Sequence, residues 1–160
     1  MGFSIASVVA GGLIDPTTFG NEVVDALNAA PRGRVGFASK TSQQTGITSV
    51  VDITGLSVTF TAVAGRRYRV TLQALVFSSI ANDIAQIQIR DGSGTVLNLA
   101  QVLAASSTFG VSAACEYITN GWSGSTTVKA AALRNSGTGT VTFDAGATYP
   151  AFILVEDIGT

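Results

Sequence analysis

No histidine occurs anywhere in this chain, so acid–base chemistry would have to come from its ten Asp and Glu residues. General acid–base catalysis draws on histidine, or on carboxylates paired so that their pKa values are pushed apart. The closest pairs are Glu22 with Asp25 and Glu156 with Asp157. The first pair falls at i and i+3 on the polar side of a predicted helix. The second pair sits on adjacent residues of a predicted strand, which point to opposite faces. Both read as solvated or salt-bridged. A glycan hydrolase would need two carboxylates at working separation, and no pair here offers that. The expectation is that the chain is not an enzyme.

Cys115 is the single cysteine and cannot form an internal disulfide. It falls mid-strand on a face shared with Phe109, Val111, Ala113 and Tyr117, where a free cysteine behaves as a small hydrophobe. A nucleophilic role would need an activating base. Zinc wants Cys and His, and calcium wants clustered oxygens, whereas Asp91-Gly92-Ser93-Gly94-Thr95 offers one carboxylate and reads as a hairpin turn. Gly121-Trp122-Ser123-Gly124-Ser125 lacks the Gly-Lys-Ser/Thr ending and following helix of a phosphate loop. No metal and no cofactor are expected.

Two residue sets remain as candidates for contact. Trp122, the only tryptophan, stands in a Gly/Ser loop beside Asn120, where it either meets a sugar or protein partner or folds back over the end of the domain. Arg66, Arg67 and Arg69 form the densest basic cluster, with Arg32 and Arg34 as a second. Guanidinium forks pair directionally with carboxylates, so these arginines are read as pairing within or between subunits, where they would set register more than affinity. With a net charge of -1, a nucleic-acid partner is not expected.

The elements that must position these residues divide the chain in two. Residues 1–31 hold the one helical signal: Asp15 as N-cap, Pro16 at the first helical position, and Phe19, Val23, Val24 and Leu27 repeating on one face. Pro31 and Gly33 end it. This segment is the candidate anchor to a larger particle. Residues 32–160 switch to period two with β-branched and aromatic residues between glycine and asparagine turns. Eight to ten strands are expected, the clearest being Arg67–Phe77 with Tyr68, Val70, Leu72, Ala74 and Val76 on one face. Others are expected over Leu56–Val63, Asp83–Arg90, Thr95–Leu99, Thr108–Ile118, Thr126–Arg134, Thr138–Phe143 and Ala151–Val155. The fold class is mostly β, an antiparallel jelly-roll-like β-sandwich with a short N-terminal helix.

Charged residues make up only 12% of the chain while hydrophobic residues make up 46%. A monomer stays soluble largely through mixed surface charge, so much of this exterior should be covered by other protein. No stretch reaches the roughly 18 apolar residues that span a bilayer, and no membrane association is expected. The opening lacks the positive n-region of a secretory signal, and Ala6 stands where a myristoylation motif has Ser or Thr, so the chain is expected to begin as made.

Several segments together resemble small virion proteins of tailed bacteriophages, the capsid-decoration and minor tail proteins. These are Ile14-Asp15-Pro16, Ala30-Pro31-Arg32-Gly33-Arg34-Val35-Gly36-Phe37, Gly55-Leu56-Ser57-Val58-Thr59-Phe60, Ala64-Gly65-Arg66-Arg67-Tyr68-Arg69-Val70 and Phe152-Ile153-Leu154-Val155-Glu156-Asp157-Ile158-Gly159. The resemblance implies a jelly roll similar to those of tumour-necrosis-factor type, assembled as a homotrimer. It also implies a virion-surface location after synthesis in the host cytoplasm, and a major capsid or tail protein as partner. Without a long additional fibre region, the reading leans toward a capsid decoration; the alternative is a minor tail protein or an adhesin holding a host-surface glycan.

Overall fold

The computed structural model describes residues 16–160; Asp15 and the side chain of Phe19 lie outside the described residues. The chain divides into two compact units, 1–30 and 31–160, and each is described by itself. In the first, helix α1 spans Pro16–Ala29, with proline at the first helical position where its missing N–H costs nothing. Ala30 N–H still donates to the Ala26 carbonyl at 3.1 Å, and Pro31 follows.

The second unit is two antiparallel sheets built from ten strands: β1 (Gly33–Lys40), β2 (Gln44–Ile47), β3 (Val51–Ala62), β4 (Arg67–Ser78), β5 (Asp83–Asp91), β6 (Val96–Ala104), β7 (Val111–Thr119), β8 (Gly124–Ser136), β9 (Val141–Asp144) and β10 (Ala151–Gly159). One sheet runs β3-β8-β5-β6. In the other, β4 is central. Val70 pairs with both Val155 of β10 and Tyr117 of β7, so these strands flank it on opposite edges. β1 pairs β10, β9 pairs the far end of β4, and β2 pairs β9. The chain crosses between the sheets at most connections, staying within one only at β1–β2, β5–β6 and β9–β10, and the orders β1-β10-β4-β7 and β3-β8-β5-β6 are those of a jelly roll.

The strand alternation expected for β4 is the one observed. Tyr68, Val70, Leu72, Ala74 and Val76 are buried and face Ile87, Ile89 and Val128 of the other sheet in one continuous core. Each fully buried aliphatic side chain there contributes about 1.5–3 kcal/mol relative to exposure. Where β1 approaches β3, a bulge between Arg34 and Gly36 turns both Val35 and Ala38 toward the core. A Cβ at position 36 would run into Val58 Cγ1, so only glycine lets the two sheets close at this edge.

Several strand boundaries differ from the sequence expectation: β3 starts at Val51 instead of Leu56 and β10 runs on to Gly159 instead of Val155, and two others have a local cause. β7 starts at Val111 instead of Thr108, because Thr108 N–H donates to Ser106 Oγ at 3.1 Å in a side-chain turn that competes with the ladder. Phe109 therefore leaves the inward face it was expected to share with Cys115 and is 76% exposed. β9 is shortened to Val141–Asp144 because the Thr138 and Gly139 N–H groups are taken by the Asp83 carboxylate at 3.1 and 2.9 Å. β6 runs on to Ala104, in unbroken register with β5 from Asn98 onward.

Candidate functional site

The outward face of the β1-β10-β4-β7 sheet departs from the polar exterior of an ordinary sandwich. On β10, Ala151, Ile153 and Val155 face the core, and Phe152, Leu154, Glu156 and Ile158 face out. The Phe152 ring stacks on Phe37 of β1 at 6.1 Å with 29° between planes. Leu154 lies in register between Phe37 and Thr71, and Ala114 of β7 extends the face past Gln73. A shallow depression beside them is lined by Gln73, Ala74, Leu75, Tyr149, Pro150 and Phe152. That lining offers no carboxylate, lysine or cysteine.

Charge enters this face as one row across the strands. Arg34 and Glu156 are register partners, as are Glu156 and Arg69. Arg69 Nε and Nη2 donate to Glu156 Oε2 at 3.0 and 2.8 Å. On the far side, Glu116 Oε2 lies 3.9 Å from Arg69 Nε. The hydrogen bond to Glu156 raises the Arg69 pKa above its ordinary value. At the other end the Arg34 guanidinium sits 5.5 Å from the centre of the Phe37 ring, within cation–π reach.

Of the three arginines expected to pair within or between subunits, Arg66 is turned into its own chain. Its Nε and Nη2 donate to Asp157 Oδ2 and Oδ1 at 2.5 and 2.7 Å, with both side chains buried. Burial pushes the Asp157 carboxyl up, but hydrogen bonds from Arg66 and Gly159 N–H, with the charges of Arg66 and Arg32, hold it below its usual value. Arg69 occupies the row described above, and Arg67 is exposed at the start of β4.

Trp122 is packed onto the core. Its ring centre lies 5.8 Å from Phe60, 6.2 Å from Tyr68 and 5.8 Å from Tyr117, while Asn120 beside it is exposed. Cys115 is buried between the sheets, and burial pushes its thiol up to about 11. On α1, Val24 and Leu27 are exposed and Val23 is half-buried. Glu22 and Asp25 are exposed too. Among the described residues no group of carboxylate, thiol or imidazole side chains could hold a metal, and no helix is long and apolar enough to cross a membrane.

Sequence reasoning missed two features. The Asp83 carboxylate gathers Ser78 Oγ at 2.6 Å together with the Thr138 and Gly139 N–H groups. The Ser78 bond leads in holding it below the ordinary range. It secures the β8–β9 turn, and nothing in a lone aspartate at a strand start signals that. The outward apolar face had a readable signal: the unbroken run Ala151-Phe152-Ile153-Leu154-Val155 is apolar on both strand faces, the mark of a strand covered on both sides.

Neither a family model nor a curated protein matches the chain. Solved structures do. The infectious bursal disease virus VP2 subviral particle is 10% identical, covering 81% of this chain and 38% of that one, with a TM-score of 0.42. Eiger TNF from S. frugiperda is 10% identical over 79% of this chain and 94% of that one, TM-score 0.46. A CBM36-1 domain of a multidomain xylanase from the hindgut metagenome of Trinervitermes trinervoides is 15% identical over 78% and 98%, TM-score 0.42. The chain thus spans well under half the length of the viral protein. Each likeness is partial, and the jelly-roll assignment rests on this chain's own strand order.

Proposed function

We propose that this chain is a structural protein of a virus particle, a trimeric capsid decoration that binds the particle surface and its own copies. One observation carries the reading: the outward face of the β1-β10-β4-β7 sheet carries a cluster of Phe37, Phe152 and Leu154, in a chain whose charged fraction is only 12%. The phage-protein resemblance supplies the trimer and covers head and tail proteins alike; the decoration role is the one proposed. Its partners are further copies and a major capsid protein. Val23, Val24 and Leu27 of α1, with Phe19 in the same repeat, supply the anchor.

The chain is not an enzyme in this reading. Asp83 and Asp157 are each taken up by structural hydrogen bonds, and the one thiol is buried and hard to ionise. Trp122 lends its ring to Phe60, Tyr68 and Tyr117, which supports a role in the fold over a sugar platform in an adhesin or minor tail protein.

The test is re-addition of the purified chain to particles stripped of it, followed by imaging. Wild type should return to fixed positions on the capsid. A Val24→Asp/Leu27→Asp chain should keep its oligomeric state and fail to return. Wild-type chain appearing only on the tail, or binding particles no better than the double variant, would contradict the decoration role.

A further inference from the structure

We infer that Arg34 of one copy pairs with Glu116 of the next, closing a ring of copies around the outward face of the β1-β10-β4-β7 sheet. This deepens the self-associating reading and rests on it. The occupant of the face is a second copy of this chain.

The argument starts from the order of charges. Across the strands the row reads Arg34, Glu156, Arg69, with Glu116 diagonal to Arg69 on β7, where it pairs with Thr71, so the charges alternate in sign from the β1 edge to the β7 edge. The two inner members satisfy each other at 2.8 Å. The two outer members are the ones left facing outward at the sheet edges. Glu116 is 48% exposed, with Arg69 no nearer than 3.9 Å. Arg34 is exposed and makes no ion pair among the described residues; its recorded contact is the Phe37 ring. One edge therefore ends in a cation and the other in a carboxylate.

A head-to-tail contact between identical subunits needs two different, mutually complementary surfaces on one molecule, and it closes into a ring when the rotation allows. Opposite charges at opposite edges of one sheet meet that need, because rotating a copy about an axis in front of the face brings its Arg34 edge to the neighbour's Glu116 edge. Between the two edges lie Phe37, Phe152 and Leu154, then Thr71 and Gln73 of β4, then Ala114. At normal strand spacing and rise, this face has a footprint on the order of 400 Å², the size of the largest, often functional, surface patch of a single chain. The charges give the register, and the apolar strip between them gives the association.

Within one chain, Arg34 and Glu116 are separated by the two intervening strands β10 and β4 and make no direct contact, so a direct pairing of the two in self-association is one between copies. Sedimentation equilibrium is measured on wild type, Arg34→Glu, Glu116→Arg and the double reversal Arg34→Glu/Glu116→Arg, with Trp122 emission checking that each is folded. Each single reversal should weaken association by at least about tenfold, since it sets like charges against each other across the contact. The double reversal should restore association to near wild type. Ala114→Arg, which fills the strip with a bulky cation, should dissociate the assembly without disturbing the Trp122 signal. Single reversals that associate as wild type, or a double reversal no better than the singles, would overturn the pairing while leaving self-association standing. A wild type that is monomeric throughout would remove the self-associating reading itself.

Discussion

Arg66 and Asp157 form a two-pronged ion pair at 2.5 and 2.7 Å with side chains only 3% and 2% exposed. The pair ties the β3–β4 turn to the C-terminal strand at one end of the sandwich. Breaking one half of such a pair leaves the other charge buried without compensation, whereas the intact pair adds little over apolar packing. Asp157→Asn should therefore lower Tm by about 10 °C and Arg66→Met by a similar step. A scan showing either variant as stable as wild type would contradict the buried geometry.

The same carboxylates set the response to acid. Asp157 and Asp83 are both held below their ordinary value of 3.8 in the folded chain. Their contribution is fully present above the unfolded-state value and is lost as pH falls through the lower folded-state values. No histidine is present to titrate between pH 5 and 8. Urea midpoints should stay level from pH 8 to about 5 and drop below about 4, with a smaller drop in Asp157→Asn. A break near pH 6 to 7 would point to a group outside this account.

Gly36 and Val58 test the closure of the two sheets at the β1–β3 edge. Gly36→Ala places a methyl group against Val58 Cγ1 and should cost about 1–3 kcal/mol by overpacking. Trimming the neighbour in Gly36→Ala/Val58→Ala should recover part of that loss, because the two sites are in contact and couple. Strictly additive losses in the double variant would show that the sheets do not approach here as described.

Trp122, the single tryptophan, reports on the ring cluster it joins. Trp122→Ala should destabilise by about 3 kcal/mol, and Trp122→Phe by much less. Wild-type emission should shift to the red on unfolding. If Trp122→Ala kept full stability but lost binding in a glycan array, the residue would be a sugar contact and the adhesin reading would gain.

Cys115 should be silent to thiol reagents in the folded chain. Its thiol is buried and pushed up to about 11, so at pH 8 little thiolate exists and access is closed. Labelling should follow global unfolding as urea is raised. Fast labelling in native buffer would mean that β7 opens locally.

The fold was legible where side-chain alternation is strong. Tyr68 through Val76 announce one buried face of β4, and the Asn and Gly turns punctuate the rest. Strand ends were less legible. The boundaries at Thr108 and Thr138 are set by backbone N–H groups donating to Ser106 and Asp83, and side-chain competition for backbone groups leaves no periodic trace. The candidate site was half legible. The charge deficit and the run from Ala151 to Val155 point to a covered surface. That Arg66 would turn inward while Arg69 stays on the outward face depends on the turn before β4, where Arg66 N–H donates to the Val63 carbonyl at 3.2 Å.

The central claim is that this chain covers its apolar sheet face with copies of itself. Sedimentation equilibrium of the wild-type chain from low to high micromolar concentration tests it most directly. The account predicts a mass that rises with concentration and levels off at three chains. A single-chain mass across the whole range, with the protein fully soluble, would contradict it.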